Sequence, residues 1–246
     1  MKNFKVKSLS IIFPLYNEES RLKNSLKKIN FLISKIKHIN YEILLINDGS
    51  RDNSDSLITN YLKSLNSKQK KKFTYIKYKN NKGKGFACKV GVKAAKKNWI
   101  MTCDIDFSTS PLEIINWNKK NYISSNEECY FGSRNLTSSK IDYKIYRRFL
   151  GKIFSNFRKY LFDIDILDTQ CGFKLYPKKI AKIIFMKLSQ NGYIHDVELC
   201  IILKKMSIKI NELPIRWKHV GNSKLNILID GSMMMYDLIM LKFNNK

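Results

Sequence analysis

Trp99-Ile-Met-Thr-Cys-Asp104-Ile-Asp106-Phe-Ser108 decides how this chain of 246 residues is read. An apolar run of the kind that forms a buried strand ends in a carboxylate, one spacer and a second carboxylate. Residues two apart in a strand share a face, so Asp104 and Asp106 are expected to converge on one divalent ion, Mg2+ or Mn2+. An Asp-x-Asp pair alone is a weak signal. Its weight comes from matching punctuation upstream.

Upstream, Leu9-Ser-Ile-Ile-Phe-Pro14-Leu-Tyr16-Asn17-Glu18 reads as a short apolar strand broken at Pro14. A polar turn follows, then a helical pattern through Leu22, Leu26 and Ile29. Tyr41-Glu-Ile-Leu-Leu-Ile-Asn47-Asp48-Gly49-Ser50 is a second strand ending in an acid and a turn glycine, and Asp52, Asn53 and Ser54 offer capping chemistry for the next helix. Tyr75-Ile-Lys-Tyr predicts a third strand. The loop after it, Asn80-Asn81-Lys82-Gly83-Lys84-Gly85, has two glycines that let backbone approach a ligand and two lysines that supply charge for phosphate. A helix through Ala87, Val90, Gly91, Ala94 and Ala95 then leads to the strand before Asp104.

Strands alternating with helices, with acids and glycines at the strand ends, predict an α/β fold with a mostly parallel sheet flanked by helices. Ligands in such sheets bind outside the carboxyl ends of the strands. Asn17, Glu18, Asp48, Gly83, Lys84, Asp104 and Asp106 are therefore expected along one edge, as a nucleotide-diphosphate site. The loop is neither a Walker A sequence nor a dinucleotide fingerprint, which excludes a P-loop ATPase and a Rossmann dehydrogenase.

Composition bounds this reading. The length suits one domain. With 46 basic and 20 acidic residues the net charge is +26, which calls for a polyanionic partner or reflects a coding bias toward lysine, asparagine and isoleucine. A nucleic-acid or membrane-surface binding protein without enzymatic activity would explain the charge. It would gain nothing from Asp48, Asp104 and Asp106 in one cleft, and nucleic acid is not expected as a partner. Cys88, Cys103, Cys129, Cys171 and Cys200 form no Cys-x-x-Cys pair and read as reduced thiols in a cytoplasmic setting. Composition is silent on oligomeric state.

Pro14-Leu-Tyr-Asn-Glu18, Asn47-Asp-Gly-Ser50, Asn81-Lys-Gly-Lys-Gly85 and Asp104-Ile-Asp106 resemble the ordered motifs of family 2 glycosyltransferases, which have the GT-A fold. Phe131-Gly-Ser-Arg134, Asp168-Thr-Gln-Cys-Gly-Phe-Lys174, Asp196-Val-Glu198 and Trp217 with Gly221-Asn-Ser-Lys224 continue it. The Asp168–Lys174 block is similar to that of dolichyl-phosphate β-glucosyltransferases, relatives of the dolichyl-phosphate mannose synthases. The resemblance implies a GT-A domain over residues 1–224. It implies an inverting transfer of a hexose, glucose from UDP-glucose, to a polyprenyl or dolichyl phosphate. GDP-mannose as donor, or a glycan hydroxyl as acceptor, is the alternative within the family.

The resemblance also assigns roles. Pro14, Tyr16, Asn17, Glu18, Asp48, Gly83, Lys84, Gly85 and Asp104 would bind the donor, and Asp104 with Asp106 the metal. Asp168, Arg134 and Asp196 would be catalytic, with Asp168 or Asp196 as base for a hydroxyl acceptor. Arg147, Arg148, Gln170, Lys174, Trp217 and Lys224 would face the acceptor.

Two segments bear on a membrane. From Tyr143 to Phe162, Ile145, Tyr146, Phe149, Leu150, Ile153, Phe154, Phe157 and Leu161 keep helical spacing among Lys144, Arg147, Arg148, Lys152, Arg158 and Lys159. That composition suits a helix on anionic lipid, and Arg147 or Arg148 would pair with an acceptor phosphate. Residues 225–246 contain Asp230 and Asp237, each costing about 2.5–3.5 kcal/mol near a bilayer centre. This segment is therefore expected to be an amphipathic helix that docks on protein or lies in the interface. A peripheral protein on the cytosolic face of a membrane is the expectation.

Overall fold

The computed structural model describes residues 5–142, 156–220 and 227–244. Arg147, Arg148 and Lys224 lie outside them. The central sheet has seven strands in the order β3-β2-β1-β4-β7-β5-β8. Its first half comprises β1 (Ser8–Leu15), β2 (Asn40–Asn47), β3 (Phe73–Lys77) and β4 (Trp99–Thr102), all mutually parallel. These are the apolar runs of the sequence, and parallel strands covered on both faces read as continuous hydrophobic stretches. The second half comprises β5 (Cys129–Ser133), β7 (Lys174–Pro177) and β8 (Ile210–Pro214). There β7 runs antiparallel to both β4 and β5, and β8 is parallel to β5. A small sheet pairs β6 (Lys140–Asp142) with β9 (Arg216–Lys218).

Helices cover both faces. On one face, α1 (Glu19–Lys35), α2 (Ser54–Ser64) and α5 (Glu113–Lys119) enclose a core in which Leu9, Ile11, Phe13, Ile43, Leu45 and Met101 meet Leu22, Leu26, Ile29, Ile58 and Trp117. On the other face, α4 (Lys84–Ala94), α7 (Lys178–Lys187) and α8 (His195–Lys205) enclose Ile12, Leu44, Ile46 and Ile100 with Ala87, Val92, Ile184 and Leu199. The switch from Ile11 to Ile12 to Phe13 is strand alternation, one residue to each layer. Each fully buried aliphatic side chain contributes about 1.5–3 kcal/mol relative to exposure. Between these elements lie the short α3 (Ser67–Lys70), capped by Asn66, and a helical stretch, α6, at 156–162.

The C-terminal helix α9 (Ile227–Asn244) docks on the second layer through Leu238 and Leu241, with Met234 partly buried beside them. Among the described residues no helix is long and apolar enough to cross a membrane.

Candidate active site

The carboxyl ends of β1, β2 and β4 point to one edge, and the loops that follow them are tied to one another. Asn17, with φ at +52°, accepts at Oδ1 from the Arg51 amide (2.7 Å), and its own amide donates to Ser50 Oγ (2.9 Å). The Glu18 amide donates to Ser54 Oγ (2.8 Å), and Glu19 accepts from the Asn53 side chain (2.6 Å). Pro14 lies in register with Ile46, and Tyr16 follows it half-buried at the strand end. Arg21 forms an ion pair with Glu18 and reaches Asp106 Oδ2 at 3.5 Å. Spacing could have revealed Arg21, since it stands one helical turn from Glu18.

Asp48 sits at the end of β2 and is almost fully buried. Its carboxylate accepts from Asn81 Nδ2 (2.9 Å) and from the amides of Lys82 and Gly83 (both 2.8 Å). Burial pushes its pKa up, against the lowering effect of the Lys82 amide. Asp48 thus holds the glycine loop in place whatever else it contacts. Gly83 has φ at +98°, a conformation that side chains rarely adopt, and a Cβ there would strike the Asn191 carbonyl. The Gly85 amide donates to Asn191 O (2.7 Å), and Phe86 adds a longer bond to the same oxygen. The close backbone approach expected of these glycines is therefore made to the 189–192 loop of the same chain. Glu198 holds that loop, accepting from the Ser189 and Gln190 amides at 2.8–3.1 Å.

The strand β4 ends at Thr102, so alternation along a strand does not bring Asp104 and Asp106 together. A turn does: the Phe107 amide donates to Asp104 O, Phe107 has φ at +59°, and the Ser108 amide donates to Asp106 Oδ1 (2.8 Å). The two carboxylates sense each other. Burial and then the Asp104 charge raise the Asp106 pKa. Burial opposes ionisation of Asp104 too, but the Lys84 ammonium at 2.6 Å outweighs it and holds this carboxyl low. Gly172 leaves the space that Asp104 fills, because a Cβ there would collide with the carboxylate.

Deeper in, Lys174 is fully buried and donates to Asp196 Oδ1 (2.5 Å) and to Cys171 O (2.6 Å). His195 Nε2 lies 3.5 Å from the same Asp196 oxygen. Burial works against ionisation of Asp196, and the His195 ring and Lys174 ammonium overcome it, so this acid also sits low. Asp168 accepts a two-pronged contact from Arg134, Nε to Oδ2 at 2.7 Å and Nη2 to Oδ1 at 2.8 Å, plus the Arg134 amide at 2.8 Å. Burial would raise its pKa, yet Arg134 brings it below the ordinary value. Glu212 on β8 accepts the amides of Leu167 and Asp168. No local pattern signals Glu212, whose role depends on the pairing of β5 with β8.

The acceptor-side residues divide. Lys174 lies inside the charge cluster, and Gln170 is half-buried two residues from Asp168. Trp217 bridges to Thr109, and the Lys218 amide donates to Ser108 O, so β9 lies beside the segment that follows Asp106. Arg147, Arg148 and Lys224 fall outside the described residues.

The metal expectation can be tested against this donor set. Among the described residues no group of three or more His, Cys, Asp or Glu side chains could hold an ion. Two neighbouring hard carboxylates remain, Asp104 and Asp106. Mg2+ commonly takes one or two carboxylates and completes its shell with substrate phosphate and water, so the residues fit an ion that arrives with a diphosphate.

Comparison with known proteins agrees with this geometry. The family model of Glycosyl transferase family 2 matches residues 10–185. A dolichyl-phosphate beta-glucosyltransferase of Dictyostelium discoideum is 33% identical, covering 96% of this chain and 74% of that protein. The one of Saccharomyces cerevisiae is 30% identical, covering 95% and 74%. Among solved structures, glucosyl-3-phosphoglycerate synthase of Mycobacterium tuberculosis, in complex with Mn2+, UDP and glucosyl-3-phosphoglycerate, superposes with a TM-score of 0.64 at 13% identity, covering 96% of this chain and 80% of that one. The mannosyltransferase PcManGT of Pyrobaculum calidifontis, in complex with GDP-Man and Mn2+, gives 0.63 at 10% identity, covering 100% and 66%. The chain thus belongs to glycosyltransferase family 2 and is a glycosyltransferase of the GT-A fold, similar over most of its length to dolichyl-phosphate β-glucosyltransferases.

Proposed function

We propose that the enzyme transfers glucose from UDP-glucose to dolichyl or another polyprenyl phosphate, in one inverting displacement at the cytosolic face of a membrane. The names of its relatives support glucose and the lipid phosphate. The observation that carries the acceptor class is the pairing of Asp168 and Asp196, the two candidate bases. Asp168 is clamped by Arg134 and Asp196 by Lys174, and both carboxyls sit below their ordinary pKa. A carboxylate so paired is a weak base. A hydroxyl acceptor needs a base to take its proton, whereas a phosphate monoester arrives as an anion. Positioning and electrostatics then carry the rate.

In this account the loops after β1 and β2 and the Gly83–Gly85 turn bind the donor. Asp104 and Asp106 would hold Mg2+ or Mn2+, which when bound supplies positive charge for the leaving diphosphate. Lys84, now on Asp104, supplies a further cation at the same place. Arg134 remains on Asp168, and the Asp168–Lys174 block forms the wall facing the acceptor.

The test is to incubate the enzyme and Mg2+ or Mn2+ with labelled UDP-glucose or GDP-mannose, with and without polyprenyl phosphate. Label entering the organic phase from UDP-glucose alone is expected. Label from GDP-mannose alone would replace the donor, and label confined to water-soluble product would replace the acceptor.

A further inference from the structure

Four amides in the glycine loop and the first turn of α4 are already engaged within the chain. Those of Lys82 and Gly83 donate to Asp48 (both 2.8 Å), and those of Gly85 and Phe86 donate to Asn191 O (2.7 and 3.2 Å). A helix start ordinarily meets an anion through such amides. Here the loop offers side-chain charge instead. Lys82 is exposed and lies 4.7 Å over the Phe86 ring. Lys84 is half-buried and reaches into the site, its ammonium 2.6 Å from Asp104 Oδ1.

The Asp104 carboxylate has little room around it. A Cβ on Gly172 would lie 2.4–2.7 Å from its two oxygens, so backbone closes one flank and Lys84 takes another. Asp106 is held more loosely. Arg21 reaches it at 3.5 Å but is tied to Glu18, to which its Nη2 donates at 2.7 Å. Of the two cations, Lys84 is therefore the one in full contact with the carboxylate pair. An ammonium there opposes a divalent ion on the same carboxylate, by like-charge repulsion and by taking up one oxygen. A lysine carries its charge on a flexible four-carbon stem and can change partners. Asp196 also acts on Lys84 and favours its charged form, so the side chain keeps its charge on leaving Asp104.

We propose that Lys84 and the divalent ion are alternative counter-charges of Asp104, and that Lys84 passes from Asp104 to the donor's diphosphate as the ion is taken up. The exchange couples the two ligands. Without a diphosphate to receive it, Lys84 holds Asp104 against the ion, and with one it lets go. Lys84 acts this way only where Asp104 and Asp106 hold the ion of a nucleotide-diphosphate sugar, so the exchange rests on the function proposed above.

The experiment titrates Mn2+ into the full chain, with and without saturating UDP, and follows its binding by electron paramagnetic resonance at fixed pH and salt. Wild type is expected to bind Mn2+ weakly alone and more tightly with UDP. Lys84→Met should bind Mn2+ alone roughly tenfold or more tightly than wild type, because a cation beside a carboxylate lowers its proton affinity by about tenfold to a thousandfold. UDP should then tighten Mn2+ less, by a similar factor, and Mn2+ should tighten UDP less by the same one. Lys84→Gln serves if the methionine variant does not fold. Lys82→Met removes the same charge from the same loop and should leave Mn2+ affinity near wild type. An equal gain in the Lys82 and Lys84 variants means that net charge acts and not exchange, which overturns the proposal. So does Mn2+ affinity without UDP that is unchanged or weaker in the Lys84 variants while UDP still tightens Mn2+ on wild type. Absence of Mn2+ binding to every variant and to wild type, even with UDP, removes the metal pair itself and the exchange with it. Glucose transfer plays no part in the readout, so sugar and acceptor are decided separately.

Discussion

The two halves of the site neutralise their acids by different means. After β1 and β2, Asp48 and Asp52 meet backbone amides, Asp48 those of Lys82 and Gly83 and Asp52 those of Glu19 and Ser54, while Glu18 pairs with Arg21. Around the Asp168–Lys174 block, the two catalytic candidates meet side-chain cations, Asp168 on Arg134 (with the Arg134 amide beside it) and Asp196 on Lys174. Asp104 belongs to both, since Lys84 comes from the glycine loop and Asp196 lies close enough to influence Lys84. The difference has consequences. An amide-capped acid shapes a loop. A buried acid on a buried ammonium sets charge, and removing one partner strands the other.

The largest effect is expected at the fully buried Lys174, whose ammonium lies 2.5 Å from Asp196. Lys174→Met leaves Asp196 buried without its ammonium and should cost about 3–5 kcal/mol in denaturant unfolding. Adding Asp196→Asn should restore most of the loss. If the double variant is as unstable as the single one, packing of Lys174 and not its charge matters, and the contrast between the halves breaks down.

Next come Asp104→Asn and Asp106→Asn, and chelation of the wild type. Each should lower transfer by about two to three orders of magnitude, near 3–4 kcal/mol of transition-state stabilisation, with modest loss of stability. Steady-state rates read beside melting curves separate the two quantities. Wild-type turnover in EDTA would remove the metal from the account.

Asp48→Ala sharpens the other side. It removes three hydrogen bonds to a charged group, from two part-buried amides and the Asn81 side chain, so about 1–3 kcal/mol of stability should go, together with donor affinity measured by calorimetry. Normal UDP binding in a destabilised variant would confine Asp48 to loop support.

The smallest effect concerns pH. Burial lowers the pKa of His195 from 6.5, with Asp196 pulling it up and Lys84 and Lys174 pushing it down. The folded state therefore binds its proton later than the unfolded state. The stability this gives is present above about 6.5 and is lost as pH falls below it, by at most about 1.4 kcal/mol per pH unit. His195→Gln should flatten the stability curve between pH 7 and 5, and an unchanged slope would place the titration elsewhere.

How legible was this site? The parallel half was readable because strands buried on both faces leave unbroken apolar runs, each punctuated by an acid or glycine. Asp104 and Asp106 were found for that reason, although a turn and not strand alternation brings them together. The second half was harder. Arg134 and Asp168 are 34 positions apart, and their pairing depends on β5 and on the reversed β7. Glu212 acts through a strand whose neighbour no local pattern announces. Gly83 and Gly85 were visible as glycines, but what they make room for is a loop a hundred residues on. Glu198 stood in a recognised motif, and only the 189–190 amides explain it.

In the proposed reaction the paired Asp168 and Asp196 leave the acceptor to bring its own negative charge. The most direct measurement offers the enzyme polyprenyl phosphate and the corresponding polyprenol in parallel, at the same chain length, with the same donor and divalent ion. Transfer to the phosphate with no detectable glycosylation of the alcohol is the predicted result. Comparable rates on both would mean that a base in this site accepts a hydroxyl proton, and would contradict the account.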